Sequence, residues 1–371
     1  MPRSLVPPLV ASPTGGLQGD GGLPGPDGET LHALLRRYGR AGDPVSCVAL
    51  PEGLLNRGYR LVTTRGHFFL KHHLDGDHAA IARQHDVILR LAAHDVPVAP
   101  PLADREDSTV TVLDGRCYAL HPWVDGRHRR GRELTHAESD RLGKLLGHMH
   151  MGLEKVCSDE FPDGLQEGPE GPSEGLGGAG PGDDASADPQ DTYALIEDLL
   201  ALVRRRPRDS FDELAEHRLV ERRALLERNA HLRPAAVPTR GWVHGDFHPL
   251  NLLYRGGEPA AIVDWDRLGV QPRAEEAVRA AVIFFLRDDG TLDLAKVRPY
   301  ARAYRSACGA GTAELAAAVH RVWWERLNDF WMLRWRYQLG DHRADPGFPA
   351  SAALSVWWTR AYEDVRAAFT D

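Results

Sequence analysis

Long hydrophobic runs are missing from this chain of 371 residues: no stretch approaches the roughly 20 apolar residues that a membrane span requires. Basic blocks are missing too, and with a formal net charge of −8 the chain offers no electrostatic footprint for nucleic acid. That charge is compatible with a cationic small-molecule substrate. Cysteine is scarce: Cys47, Cys117, Cys157 and Cys308 are scattered with no CxxC pair, the usage of a cytoplasmic protein with reduced thiols. Pro7 and Pro8 interrupt the short apolar run at 5–10, so a signal peptide is not expected. Lysine is the rarest charged residue. Of 45 basic residues only Lys71, Lys144, Lys155 and Lys296 are lysine, which draws attention to Lys71 inside an apolar segment.

What is present divides the chain by composition. Residues 1–28 are rich in Gly and Pro without a period and read as a disordered tail. A second stretch, 158–190, is acidic, Gly/Pro-rich and nearly free of aromatics; it reads as a disordered insertion within the fold. The segment before it is β-rich, with "SCVALPEG", "YRLVTTRG" and "HFFLKHH" as short strands and a helix at about 77–94 that ends before "DVPVAPPL". A hairpin, "STVTVLDGRCYALHPWVDG", turns at Asp114-Gly115, a favoured type I′ pair. Beyond it helices dominate. Thr135 to Glu138 forms a capping box, and further helices are expected near 192–206, 211–231, 273–287, 294–310, 313–339 and 351–368. The expectation is an α+β, bilobal chain with an N-lobe at 29–123 and a C-lobe at 124–371.

One stretch breaks the helical lobe: "VHGDFHPLNLLYRGGEPAAIVDWD", residues 243–266, a polar loop followed by two short strands that end in acids. A polar turn with chance acids is the simplest explanation, but a turn does not require Asp and Asn at a common strand end. A metal-hydrolase site would use His244, Asp246 and His248 in alternation, which Pro249 interrupts. Phosphoryl transfer needs a carboxylate at the attacking hydroxyl, an amide oxygen and a carboxylate on Mg²⁺, and a lysine on the nucleotide phosphates. Asp246, Asn251, Asp264 and Lys71 supply these parts in that order of need.

"VHGDFHPLNLL" followed by "AIVDWD" resembles the aminoglycoside phosphotransferase and choline kinase family, small-molecule kinases of the protein-kinase-like fold, over about 46–365. The resemblance implies a small antiparallel N-lobe sheet with one helix, a mainly helical C-lobe, and ATP and Mg²⁺ as cofactors. By the same resemblance Asp246 is the catalytic base or the carboxylate that orients the hydroxyl, Asn251 and Asp264 are the metal ligands and Lys71 binds phosphate. His244 braces the loop, and backbone groups from Leu120 to Trp123 receive adenine. His150 is read as packing or loop support.

Three departures stand out. The loop between the first two strands, "EGLLNRGYRL", carries Gly53 and Gly58 but no GxGxxG. The helix that should offer Lys71 an acid presents Gln84, with Asp86 nearby. After "DWD" the chain reads "RLGVQPRAEE", which leaves loop bracing to Glu275 or Glu276, and Asp266 without a sure task beyond loop support or a second metal. The late helix "VWWERLNDFWMLRWRYQL" suggests an acceptor wall, with Glu325 and Asp329 as partners for amino groups and Trp331 for stacking. The expected activity is ATP-dependent phosphorylation of a small-molecule hydroxyl, an aminoglycoside or amino sugar narrowly ahead. The rivals are a metabolite kinase for an amino alcohol such as homoserine, and a nucleotide-binding pseudokinase. No nucleic-acid or membrane partner is expected.

Overall fold

The computed structural model describes residues 25–50, 56–74, 76–158, 186–205, 209–235 and 240–371. Most of the expected tail and insertion, and Gly53, lie outside these residues. Two tertiary units share a cleft, the N-terminal one built on a five-stranded antiparallel sheet.

The described residues begin with a helix that the composition-based boundary had passed over, α1 (Gly28–Arg37). Asp27 caps it by accepting from the Thr30 N–H at 2.8 Å, and Leu31, Leu34 and Leu35 bury one stripe. That stripe packs on Tyr59, Leu61, Leu70, Tyr118 and Leu120 of the sheet. The strands are β1 (Pro44–Ala49), β2 (Arg57–Thr63) and β3 (Gly66–His73); then, after helix α2 (His78–Ala93), β4 (Thr111–Leu113) and β5 (Arg116–Pro122). Their spatial order is β1-β2-β3-β5-β4. Asp114 (φ 49°) and Gly115 (φ 73°) both adopt positive φ, the geometry a type I′ hairpin turn demands.

Strand alternation sorts the side chains of β3. Leu70 and His72 face the α1 side, Leu70 in its core and His72 stacked on Tyr118 at 4.8 Å. Phe69, Lys71 and His73 line the cleft. Helix α2 belongs to both halves: Ile81 packs with Val110 and Cys117, while Val87, Ile88 and Leu91 join the large core with Leu142, Leu146, Met149 and Leu153.

The second unit is helical: α3 (His136–Ser158), α4 (Pro189–Arg204) and α5 (Ser210–Asn229) precede a β-rich insert; α6 (Arg273–Phe285), α7 (Leu294–Cys308) and α8 (Thr312–Asn328) follow it. The Thr135/Glu138 capping box opens α3 through reciprocal bonds of 3.2 and 2.8 Å. Gly143 and Gly147 let α3 approach α7 at backbone distance: a Cβ on Gly143 would collide with the Tyr300 carbonyl, and one on Gly147 would sit 3.0 Å from that of Tyr304. Asp188 caps α4, so residues 186–190, read as the end of a disordered insertion, belong to the folded unit.

The single helix expected at 313–339 is three pieces. After α8 ends at Asn328, the Asp329 carboxylate accepts the Trp331 N–H at 3.1 Å, and α9 (Trp331–Arg334) restarts into a π-type turn at Trp335–Leu339. The buried Arg222 guanidinium caps the open end of α8 by donating to the carbonyls of Arg326 and Leu327. Likewise Ala361 divides the last expected helix into α10 (Phe348–Arg360) and α11 (Tyr362–Thr370). No helix among the described residues is long and apolar enough to cross a membrane.

Candidate active site

The insert consists of two short ladders. β6 (Gly241–Val243) pairs with β9 (Gly269–Gln271), and β7 (Leu252–Arg255) with β8 (Glu258–Ile262). The loop from β6 to β7 carries residues 244–251, and the segment from β8 to β9 carries Asp264 and Asp266.

The loop is held from below by one buried carboxylate. Glu276 of α6 accepts the N–H groups of Gly245 (2.5 Å) and His244 (3.2 Å), and lies 2.7 Å from His150 Nε2. His150 Nδ1 meets the Tyr304 hydroxyl at 3.1 Å, so this histidine is a strut. Burial pushes the Glu276 carboxyl up, and the His150 bond and charge outweigh it, leaving the group below its ordinary range. The acid anticipated at 275 or 276 is thus Glu276, since Glu275 is taken by Arg321 (2.6 Å) and Arg279 (2.9 Å). Gly245 adopts φ 83°, and a Cβ there would collide with the Arg267 carbonyl; only glycine lets the two segments meet.

His244 is fully buried, and burial holds its imidazole below the usual histidine range. As a neutral ring it accepts the Asp246 N–H on Nδ1 (3.2 Å) and donates from Nε2 to the Val263 carbonyl (3.1 Å). It therefore staples the Asp246 segment to the Asp264 segment. Asn251 donates to the Asp246 carbonyl at 2.8 Å, while its own carbonyl accepts the Val263 N–H at 3.0 Å. With Nδ2 so engaged, the Asn251 side-chain oxygen is left as an acceptor. Burial raises the Asp246 carboxyl, but His248 (Nε2 at 3.5 Å) and Arg267 oppose it and keep the group below its ordinary value.

Lys71 crosses from the sheet to these acids. Its Nζ lies 2.9 Å from Asp264 Oδ1 and 2.5 Å from Asp266 Oδ1. Burial disfavours the ammonium, yet the two carboxylates more than compensate, and its pKa is raised. Burial likewise raises Asp266, and Lys71 overrides it to hold the carboxylate ionised. Asp264 takes φ 61° and Trp265 between the acids is buried, its Nε1 donating to the Ile262 carbonyl. This kink turns both acids toward one lysine.

These contacts correct several expectations. Neither Gln84 nor Asp86 is the acid partner of Lys71: Gln84 Nε2 donates to the Asp266 carbonyl at 3.2 Å, and Asp86 pairs with Arg90 at 2.8 Å one helical turn on. Asp266 is no peripheral support but the closest carboxylate to Lys71, with Asn56 Nδ2 at 2.5 Å on its other oxygen. Glu325 and Asp329 do not face an acceptor. Glu325 is bound by Arg279 (2.7 Å), and Asp329 lies 3.5 Å from Arg326 on a different surface. In the hinge the Trp123 N–H is donated to the His67 carbonyl and the Leu120 carbonyl accepts from Leu102, so two of the groups assigned to adenine are already engaged. Pro122, Trp123 and Val124 border the cleft.

The cleft itself has a volume of about 920 Å³. Gly58, Lys71 and Gln84 line its side toward the sheet; Asp246, Asn251, Asp264 and Asp266 line its floor; Trp331, Met332 and Trp335 line the far wall. Trp331 and Trp335 meet edge to face at 5.2 Å. Three residues unremarked in the sequence, His73, His85 and His121, form the back wall, with rings 6.0 and 5.7 Å apart. The alternation in "HFFLKHH" contained a signal for His73, two residues from Lys71. Trp335 shares the helical stripe of Trp331 that the sequence offered as an acceptor wall, whereas Asn56 and the two other histidines had no such signal.

Among the described residues no group of three or more His, Cys, Asp or Glu is arranged to hold a metal. The Asn251 oxygen and the half-exposed Asp264 carboxylate are instead a sparse, hard-oxygen set. That suits a hard divalent cation that keeps part of its water shell.

The chain matches the model of the phosphotransferase enzyme family over residues 46–310. It is similar to a homoserine kinase of Burkholderia mallei, 28% identical over 119 residues that make up 32% of this chain and 35% of that protein. The chain therefore spans about a third of the length of that relative. Among solved structures, a spectinomycin phosphotransferase in complex with ADP and spectinomycin superposes with a TM-score of 0.58 at 14% identity, covering 88% of this chain and 97% of that one. An amicoumacin kinase in complex with AMP-PNP and Ca²⁺ superposes with a TM-score of 0.56 at 16% identity, covering 91% and 92%. At such identities the likeness speaks for the fold, α+β and bilobal as in protein kinases, and the family rests on the match over most of the chain. By that match the chain belongs to the phosphotransferase enzyme family.

Proposed function

We propose that this protein is an ATP-dependent kinase that transfers the γ-phosphoryl group to a hydroxyl of a small molecule. One observation carries the reading: Lys71 from the sheet reaches Asp264 and Asp266 from the helical unit at 2.9 and 2.5 Å, beside the Asp246 and Asn251 pair. The acceptor hydroxyl gives its proton to Asp246, its oxygen bonds to the γ-phosphorus, and ADP leaves. Lys71 holds the nucleotide phosphates, and the oxygens of Asn251 and Asp264 would hold Mg²⁺. When bound there, the ion would offset negative charge on the phosphates. The rest is positioning and charge stabilisation in the cleft.

For the acceptor, the far wall favours a ring face. Trp331 and Trp335 offer stacking surface, whereas Glu325 and Asp329 are neutralised by arginines. Aminoglycosides and amino sugars head the acceptor panel on this reading, in keeping with the spectinomycin phosphotransferase that shares the fold. Amino alcohols follow, favoured by the matches to homoserine kinases. The test is ADP release by the purified protein with Mg·ATP, with and without each member of the panel. Stimulation by at least one member is expected. Tight nucleotide binding with no stimulation by any sugar, aminoglycoside or amino alcohol would favour a nucleotide-binding pseudokinase.

A further inference from the structure

Gln84 stands on α2 where a phosphate-binding lysine would be expected to find an acid, yet Lys71 is not without a fixed partner. We propose that Asp266 is the positioning residue for Lys71, working from the opposite side of the cleft and leaving Asp264 to the metal. This inference rests on the kinase reading above.

The two carboxylates near Lys71 differ in how they are held. The Asp264 side chain is 49% exposed to the cleft and the Asp266 side chain 22%. Asp266 is anchored at three points: Oδ1 on Lys71, Oδ2 on Asn56 Nδ2 at 2.5 Å, and its carbonyl on Gln84 Nε2 at 3.2 Å. Asn56 is itself fixed, because its Oδ1 accepts the Leu74 N–H at 2.9 Å. A carboxylate with both oxygens committed makes a poor metal ligand, whereas Asp264 has one oxygen on Lys71 and an open face. When Asp264 turns to a cation, Lys71 keeps Asp266.

Charge explains why position 84 carries no acid. One ammonium already faces two carboxylates, and the nearby rings of His73, His85 and His121 are neutral because burial lowers their pKa values. A third carboxylate at position 84 would enter the same desolvated wall beside an ammonium already shared by Asp264 and Asp266. The amide of Gln84 instead ties down the backbone of the acid that does the work. One consequence is mechanical: the Lys71 to Asp266 link spans the two units, so the lysine is set only while the cleft is closed around it.

The experiment is a double-mutant cycle on the full chain, read as binding of AMP-PNP by calorimetry, once with Mg²⁺ and once in EDTA. If Asp266 acts through Lys71, Asp266→Asn weakens binding about tenfold in both conditions. Lys71→Met/Asp266→Asn then binds no more weakly than Lys71→Met alone, a coupling of the size seen for residues in contact. Weakening confined to Mg²⁺ would make Asp266 a metal ligand and overturn the proposal. Additive losses, or no loss from Asp266→Asn, would overturn it as well. Asn56→Ala provides a second arm if Asp266→Asn lowers the melting temperature: a smaller loss, again absent in the Lys71→Met background, is expected, and an additive one counts against the proposal. Failure of the parent chain to bind AMP-PNP at all would instead remove the kinase reading itself.

Discussion

The three histidines behind the cleft should make this protein labile to mild acid. Burial holds His73 at a pKa of about 3, His85 at about 2 and His121 at about 4, from an ordinary value of 6.5; neighbouring charge lowers them further. Each is neutral in the native chain and protonates near 6.5 when unfolded. Between 6.5 and these depressed values the unfolded state binds more protons, so stability falls as pH falls. At pH 5.5, one unit below the unfolded value, each histidine removes roughly 1.4 kcal/mol, and the three together about 4 kcal/mol. The perturbation that isolates the effect is His85→Asn. An Asn amide can take over the 2.9 Å bond between His85 Nδ1 and the Thr109 hydroxyl, while removing the titrating ring. Equilibrium urea unfolding from pH 7.5 to 5.5 should show the parent losing about 4 kcal/mol from this source, and the variant losing about a third less. A parent whose stability is flat over that range, or a variant with the parent's full slope, would refute the argument.

Other perturbations follow from single contacts. Gly143→Ala drives a methyl into the Tyr300 carbonyl where α3 meets α7, and should lower stability by about 1–3 kcal/mol or more in thermal or urea unfolding. Glu276→Gln keeps the shape, but its NH₂ must face at least one of three donors (the N–H groups of His244 and Gly245, or His150), so a loss of about 1–3 kcal/mol with reduced ADP release is expected. An unchanged melting temperature would mean that the strut is not needed. Trp331→Ala should raise the acceptor KM and leave the ATP KM near the parent's; the reverse pattern would move the acceptor away from the far wall.

Local features were legible in the sequence wherever one short segment determines them. Asp114-Gly115 sets its own turn, Thr135 and Glu138 cap their own helix, and the five-residue step from Asp246 to Asn251 folds back on itself with a 2.8 Å bond. Helix α1 escaped because Gly and Pro before residue 28 masked a clear stripe of Leu31, Leu34 and Leu35 behind the Asp27 cap. The break at Asp329 was invisible for a different reason: periodicity runs smoothly through it, and the stop depends on Arg222, more than a hundred positions away, capping the α8 carbonyls. The same holds for the candidate site. The motif carries Asp246, Asn251 and Asp264, but the partner of Lys71 is decided by a contact 195 positions apart, which no local spacing encodes. Glu325 looked available because its arginine partner, Arg279, comes from α6 through tertiary packing; the partner of Asp329, Arg326, lies only three positions away and was legible as a helical neighbour.

The central claim is that Asp246 receives the acceptor proton while other residues bind the nucleotide. Asp246→Asn keeps the volume and the surrounding bonds but removes the basic oxygen. With an acceptor that stimulates the parent, a single-turnover assay should find phosphoryl transfer slowed by about 10²–10⁴-fold, the range general-base removal produces, with AMP-PNP affinity near the parent's. Transfer at the parent's rate, with the variant folded and nucleotide bound, would contradict the account.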